Sequence, residues 1–248
     1  MKESISITVM MPALNEEANI KRAASDLIRV FQNTGYDWEI VLIDDGSSDG
    51  TGRIVDEIAE GESRVKVIHH VWPRGIGSCF REGIEESTKE EVITWLPGDG
   101  ENDPSELLKY LPLIEHVDII IPFVINKRVR PLSRRILSAI YLAIINATFG
   151  TRFNYTNGNI IYRKKIFDMI KPQSNGFLVH AECLVRAIRA GFTFAEVPIT
   201  LKERLEGDSK ALLINSFFCV CREFISLFLD MQIVSRLSRK AKQSHGFR

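Results

Sequence analysis

Five short runs rich in apolar residues, each separated from the next by a stretch of helical periodicity, set the tightest limit on what this chain can fold into. They cover 5–11 (I-S-I-T-V-M-M), 38–43 (W-E-I-V-L-I), 65–68 (V-K-V-I), 92–96 (V-I-T-W-L) and 117–121 (V-D-I-I-I). The second and fifth are nearly continuous in apolar character, the pattern of strands buried on both faces. Between the runs, Ile20, Ala24, Leu27, Ile28 and Phe31 recur at helical spacing, as do Ile54, Val55 and Ile58. Gly75 to Ser87 reads as a glycine-rich turn and a helix, and Pro104 opens a short helix through Leu107, Leu108 and Leu111. Asn15 is a candidate cap for the first helix, Ser47, Ser48 or Asp49 for the second, and Asp103 for the helix at Pro104. Strand and helix in alternation imply an α/β fold with a mainly parallel, Rossmann-like sheet flanked by helices. Such sheets bind ligands beyond the carboxyl ends of their strands.

Four strand-end loops therefore carry the chemistry: Pro12-Ala13-Leu14-Asn15-Glu16, Asp44-Asp45-Gly46-Ser47, the Arg74-Gly75 turn, and Gly98-Asp99-Gly100-Glu101. Asp44 and Asp45 close a buried strand, where carboxylates accept hydrogen bonds from ribose hydroxyls or a base N–H. Capping a helix does not call for two carboxylates at that position. Asp99 and Glu101 are hard oxygen ligands on a glycine-flanked loop, suited to Mg²⁺ or Mn²⁺ with a diphosphate completing the shell. In the second half, Gly176 to Glu182 holds His180 and a carboxylate, Glu182; the segment 204–210 (R-L-E-G-D-S-K) brackets a glycine with Arg204 and Lys210, which can grip a diphosphate or a phosphate acceptor.

Charge is balanced, with 32 basic and 32 acidic residues, so nothing global points to nucleic acid as a partner. Of the four cysteines, only Cys219 and Cys221 are close in sequence, and they lie in an apolar stretch; Cys79 and Cys183 are isolated. Core thiols in a reducing cytosol are the reading. The first residues lack the apolar region of a signal peptide. Residues 211–229 approach the length of a membrane span, but Arg222 and Glu223 sit near the middle. On a helical wheel Asn215, Arg222, Glu223, Ser226 and Asp230 oppose Leu213, Phe217, Phe218, Cys221, Phe224, Ile225 and Phe228, which describes an amphipathic helix. An apolar helix at 136–149 follows a basic cluster of Lys127, Arg128, Arg130, Arg134 and Arg135. These features favour a peripheral protein at the inner face of an anionic membrane, with a homodimer through the C-terminal helix as the alternative.

Taken together, V-M-M-P-A-L-N-E-E-A-N-I, V-L-I-D-D-G-S-S-D-G-T, P-G-D-G-E-N-D-P-S-E-L, A-E-V-P-I and R-L-E-G-D-S-K resemble the glycosyltransferase family 2 enzymes of the GT-A fold, in the branch of dolichyl- and polyprenyl-phosphate sugar synthases. The resemblance runs from Val9 to Lys210 and implies a GT-A domain over 1–210, an acceptor-side insertion at about 123–155, and a membrane-peripheral or dimerising appendage at 211–248. It implies that Pro12, Asn15, Glu16 and Gly98 line the nucleotide site, that Asp44 contacts base or ribose, and that Asp45 lies beside it. Asp99 matches the second aspartate of the family's D-x-D motif and Glu101 a further metal-side ligand. The first aspartate falls on Pro97, a departure that shifts metal binding onto Asp99 and Glu101. The implied activity is inverting transfer of a sugar from a nucleoside diphosphate sugar to a polyprenyl phosphate, assisted by a divalent cation, Arg204 and Lys210. Two rivals stand beside it. One is transfer to a growing saccharide, which needs a base such as Glu182. The other is nucleotide-sugar binding without catalysis.

Overall fold

The computed structural model describes residues 5–89, 91–202 and 222–231. Its strands and helices alternate as the apolar runs require: β1 (Ser6–Ala13), α1 (Ile20–Gln32), β2 (Asp37–Asp44), α2 (Thr51–Gly61), β3 (Val65–His69), α3 (Ile76–Glu86), β4 (Val92–Trp95) and α4 (Pro104–Tyr110). Then follow β5 (Ile119–Val124), α5 (Leu132–Phe149), β6 (Ile161–Arg163), α6 (Ile166–Met169), α7 (Val179–Arg189) and β7 (Phe194–Ile199), and a last helix, α8, at 222–231. The strands form one sheet in the order β3-β2-β1-β4-β6-β5-β7. All are parallel except β6, which runs against both β4 and β5.

Alternate side chains of the central strands feed opposite faces of the sheet. Met10, Val41, Ile43, Ile93 and Trp95 join Phe80 of α3 and the buried side of α7 in one core. Val9, Met11, Ile40 and Leu42 join Leu27 and Phe31 of α1, Val55 of α2 and Leu107 of α4 in the other. Glu39 ties the opposite ends of the strands together. It accepts from the Thr8 hydroxyl at 2.7 Å and from the Thr88 N–H and hydroxyl at 2.6 Å each. Burial pushes its pKa up, but the bonds from Thr88 and Thr8 outweigh that and hold it down at about 2.

The helix-start signals fare unequally. Asp103 accepts from Ser105 N at 3.0 Å with Pro104 first in α4, as expected. Of the three candidates before α2 it is Asp49 that bonds Thr51 N, at 3.0 Å. Asn15 does not cap α1. That helix begins at Ile20, with Asn19 at its cap position, while Asn15 adopts a positive φ of 50° in the preceding loop. The fifth strand starts at Ile119 rather than at 117, because Asp118 turns outward to take the N–H and hydroxyl of Thr193.

Helix α8 turns two of its acidic residues towards the protein. Glu223 is buried and accepts from Asn175 N (2.8 Å) and Gly176 N (2.9 Å), and Asp230 pairs with Arg186 at 2.6 Å. Glu223 and Asp230 of the polar side thus face the protein, together with Phe224, Leu227 and Met231, while Arg222, Ile225, Ser226, Phe228 and Leu229 are exposed. The rest of the amphipathic stretch, with Cys219 and Cys221, lies outside the described residues. Cys79 and Cys183 are buried free thiols.

Candidate active site

The carboxyl ends of β1, β2, β3 and β4 are stitched into one platform. Asp45 N donates to Ala13 O at 2.9 Å, Gly98 N to Pro12 O at 3.0 Å, and His70 N to Asp44 O at 2.9 Å. Asn15 and the loop after β2 zip together: Asn15 N donates to Ser47 Oγ at 2.9 Å, and Ser48 N to Asn15 Oδ1 at 2.7 Å. Among the residues expected to line a nucleotide pocket, Pro12 is half-buried, Asn15 is exposed, and Asp44 is buried at the rim. Asp44 accepts from Ser47 N at 3.0 Å and meets His69 Nδ1 at 3.2 Å. Glu16 is buried and accepts from the Asn19 amide at 3.0 Å, which braces the turn into α1.

The two adjacent aspartates do different work because successive side chains on a strand end point apart. Asp45 turns inward as a hub. It accepts from Arg74 N at 2.7 Å and Gly75 N at 3.0 Å, and its Oδ1 lies 2.7 Å from His70 Nδ1. His70 Nε2 in turn lies 2.8 Å from Glu82, which pairs with Arg74 at 2.7 Å. The hub therefore fastens the loop after β3 to the end of β2. Asp45, His70 and Cys79 are close enough together to suggest a metal centre. The chemistry argues against one: Asp45 is already saturated with N–H donors, and burial, reinforced by Asp45, pushes the Cys79 thiol pKa up and keeps it protonated.

His69 and His70 are the site residues that motif reading missed. A signal was available. Two histidines end the third strand as two aspartates end the second, and the parallel register pairs Asp44 with His69. His69 also lies 2.9 Å from Asp56, whose hydrogen bond outweighs burial and, with Asp44, pushes the imidazole pKa up.

The loop after β4 holds Asp99 half-buried, its Oδ1 accepting from Glu101 N at 3.0 Å. The second residue of the expected ligand pair, Glu101, lies two residues on. That carboxylate is buried against two guanidinium groups, Arg134 at 3.2 Å and Arg130 at 3.5 Å. Of the expected set, Asp99 fits a hard cation: a carboxylate between Gly98 and Gly100 at the platform's edge. Pro97 has no ligand atom in its side chain. The chain segment leading to Arg204 and Lys210 is anchored at the same loop, with Lys202 N bonded to Glu101 O at 2.9 Å and Lys202 Nζ paired with Asp103 at 3.0 Å. Arg204 and Lys210 themselves lie outside the described residues.

Glu182 sits neither on a helix surface nor in an open cleft. The residue is 1% exposed; it accepts from Gln173 N at 3.0 and 3.1 Å, from Ser174 N at 2.8 Å and from Arg186 Nε at 2.8 Å. Its carboxylate is fully employed in fixing the segment 173–176. That segment is the wall against which the turn before α3 rests: Gly77 N bonds Asn175 O at 2.8 Å, and a Cβ on Gly77 would collide with the Ser174 carbonyl. His180 is buried edge-on between Phe80 and Trp95, at centroid distances of 5.0 and 5.3 Å, with neither ring nitrogen hydrogen-bonded. Burial pushes its pKa down to about 4, so it is a neutral core residue.

The sequence pattern of the Glycosyl transferase family 2 domain matches residues 8–170, which hold most of this platform. The chain belongs to that family. As a glycosyltransferase it shares 29% identity over 214 residues with the polyprenol monophosphomannose synthase of Mycolicibacterium smegmatis, covering 82% of this chain and 79% of that protein. With the undecaprenyl-phosphate mannosyltransferase of Micrococcus luteus it shares 29% over 189 residues, covering 69% and 75%. Glucosyl-3-phosphoglycerate synthase from Mycobacterium tuberculosis, solved with Mn²⁺ and uridine-diphosphate-glucose, has the same GT-A fold at a TM-score of 0.66 and 20% identity, covering 91% of this chain and 78% of that one. A complex of that synthase with Mg²⁺ and UDP gives a TM-score of 0.62 at 20% identity, over 82% and 73%.

Proposed function

We propose that this glycosyltransferase moves a sugar, with inversion, from a nucleoside diphosphate sugar to a polyprenyl phosphate at the cytoplasmic face of a membrane. The observation that carries the reading is the position of Arg130 and Arg134. Their guanidinium groups reach the Asp99–Glu101 loop, while the helix they introduce presents Leu132, Ile136, Leu137, Ile140 and Ile144 to the outside. A guanidinium pair beside the donor loop therefore continues directly into an apolar face. Exposed Ile225, Phe228 and Leu229 on α8 add to the apolar surface, and α8 packs against α5 through Phe224 and Phe149 at 5.8 Å. Lys127, Arg128 and Arg135 lie exposed at its basic end. That composition suits a protein lying in an anionic interface; no helix among the described residues is long and apolar enough to cross a membrane.

The two relatives named for lipid-phosphate mannose transfer support the acceptor class. So does Glu182. An acceptor hydroxyl must lose a proton to a base, whereas a phosphate acceptor is already ionised. A carboxylate saturated by three donor groups is not free to act as that base. In the proposed site Asp44 and the loop at Asn15 receive the nucleoside, and Asp99 holds a divalent cation. When bound, the cation supplies charge neutralisation for the leaving diphosphate. Arg204 and Lys210 add to it, from a segment tethered at Glu101. Arg130 and Arg134 orient the acceptor phosphate for attack on the anomeric carbon from the side opposite the diphosphate. Full-length protein incubated with labelled UDP- and GDP-sugars should label undecaprenyl phosphate in mixed vesicles. Label reaching soluble oligosaccharides and never the lipid would overturn the proposal.

A further inference from the structure

The donor platform carries one side chain that none of its hydrogen bonds requires. Trp72 is 67% exposed, and Val71 beside it 90%, whereas the other two tryptophans, Trp38 and Trp95, are 1% and 2% exposed. An indole left largely in water gains nothing for folding, since its stabilising value comes from removing its surface from solvent. The segment that bears it is nevertheless firmly built. It follows the carboxyl end of β3 and is held on one side by His70 and on the other by the Arg74 and Gly75 N–H groups, all three converging on buried Asp45. Its backbone lies so close to the loop after β2 that a Cβ on Gly46, which has φ of 72°, would collide with the Trp72 main chain. Gly46 is two residues from Asp44, the expected base or ribose contact. The hub thus presents an exposed aromatic side chain beside the strand-end loop that carries Asp44.

We propose that Trp72 is the nucleobase platform of the donor site, closing on the flat face of the base by stacking while Asp44 takes the ribose or base edge. The inference rests on the donor-site reading above and deepens it: the donor's recognition element is an aromatic base, and Trp72 contributes affinity rather than chemistry. Stacking of a base on an aromatic side chain is worth about 1–3 kcal/mol, so its loss weakens binding by roughly 5- to 150-fold.

The test uses the full chain, titrated with UDP, GDP and inorganic pyrophosphate in Mg²⁺ or Mn²⁺. Because Trp72 is the exposed indole of three, its emission should be quenched by the nucleotide that binds and not by pyrophosphate. Calorimetry should show Trp72→Ala binding that nucleotide roughly ten-fold or more weakly, and Trp72→Phe retaining most of the affinity while losing the quench. All three proteins should melt alike, since the side chain supports no core. If the nucleotide binds wild type and Trp72→Ala with equal affinity, the stacking role is wrong and the donor site stands. If neither nucleotide binds the wild type by calorimetry, the donor-site reading falls and the inference with it. A blue shift of Trp72 emission on anionic vesicles, unaffected by nucleotide, would make Trp72 a membrane contact and also overturn it.

Discussion

Replacing Glu182 with glutamine separates two roles that a sequence motif cannot. The carboxylate accepts two backbone N–H groups, from Gln173 and Ser174, and the Arg186 guanidinium, and the residue is buried. Glutamine keeps the shape but turns one acceptor oxygen into an N–H₂ group that faces other donors. One buried N–H then loses its partner, at a cost of about 1–3 kcal/mol. The ion pair to Arg186 is lost as well. A broken buried pair costs about 3–5 kcal/mol, but Arg186 keeps Asp230 at 2.6 Å, which places this loss toward the lower end. Together the structure gives a destabilisation of about 4–6 kcal/mol, visible as a lower urea midpoint at unchanged slope. Because the segment 173–176 backs the turn at Gly75–Gly77, some loosening of donor binding follows, but kcat of the folded fraction should fall less than about ten-fold. The reasoning is refuted if Glu182→Gln is as stable as wild type yet loses on the order of 10²–10⁴ in kcat, the signature of a lost general base.

Other consequences follow from the same contacts. Unfolded His180 titrates near its ordinary value of 6.5, while burial holds the native ring neutral down to about 4. The unfolded state therefore binds the extra proton between those values, and native stability falls as pH drops through that window, by about 1.4 kcal/mol per pH unit. His180→Leu should flatten that part of a stability-versus-pH curve and leave stability at pH 7.5 equal or higher. Asp99→Asn should remove divalent-cation stimulation of turnover while leaving the thermal midpoint within a few degrees, because the side chain is only half-buried; unchanged metal dependence would mean that the cation is held elsewhere. Arg130→Ala with Arg134→Ala should raise KM for the lipid phosphate by at least about ten-fold with little change in KM for the donor, as steady-state kinetics with each substrate varied will report.

How much of this was legible in the sequence depended on whether a feature is local. The parallel sheet could be read because its strands are buried on both faces and so carry nearly unbroken apolar runs; the donor loops followed from where such strands end. Strand β6 was invisible, since three residues, Ile161–Arg163, carry no periodicity. The platform's wiring was equally hidden. The neighbours Asp99 and Gly100 point Glu101 towards a metal, but its ion pairs with Arg130 and Arg134, about thirty residues on, cannot be read from them. The helical wheel of the C-terminal helix cannot show that Glu223 takes the N–H groups of Asn175 and Gly176 or that Asp230 pairs with Arg186, because these partners are more than forty residues away. The doubled histidines at the end of β3 were the clearest missed cue, because parallel register alone sets them beside the doubled aspartates.

The central claim is that the acceptor nucleophile is a lipid phosphate, and the product tests it most directly. Purified enzyme, the nucleotide sugar that it binds, a divalent cation and undecaprenyl phosphate in anionic vesicles should convert the lipid's ³¹P resonance from a monoester to a diester. The new signal should couple to an anomeric proton whose configuration is opposite to that of the donor. A monoester resonance that persists while the donor is consumed, with the sugar recovered free or on a saccharide hydroxyl, would contradict the account.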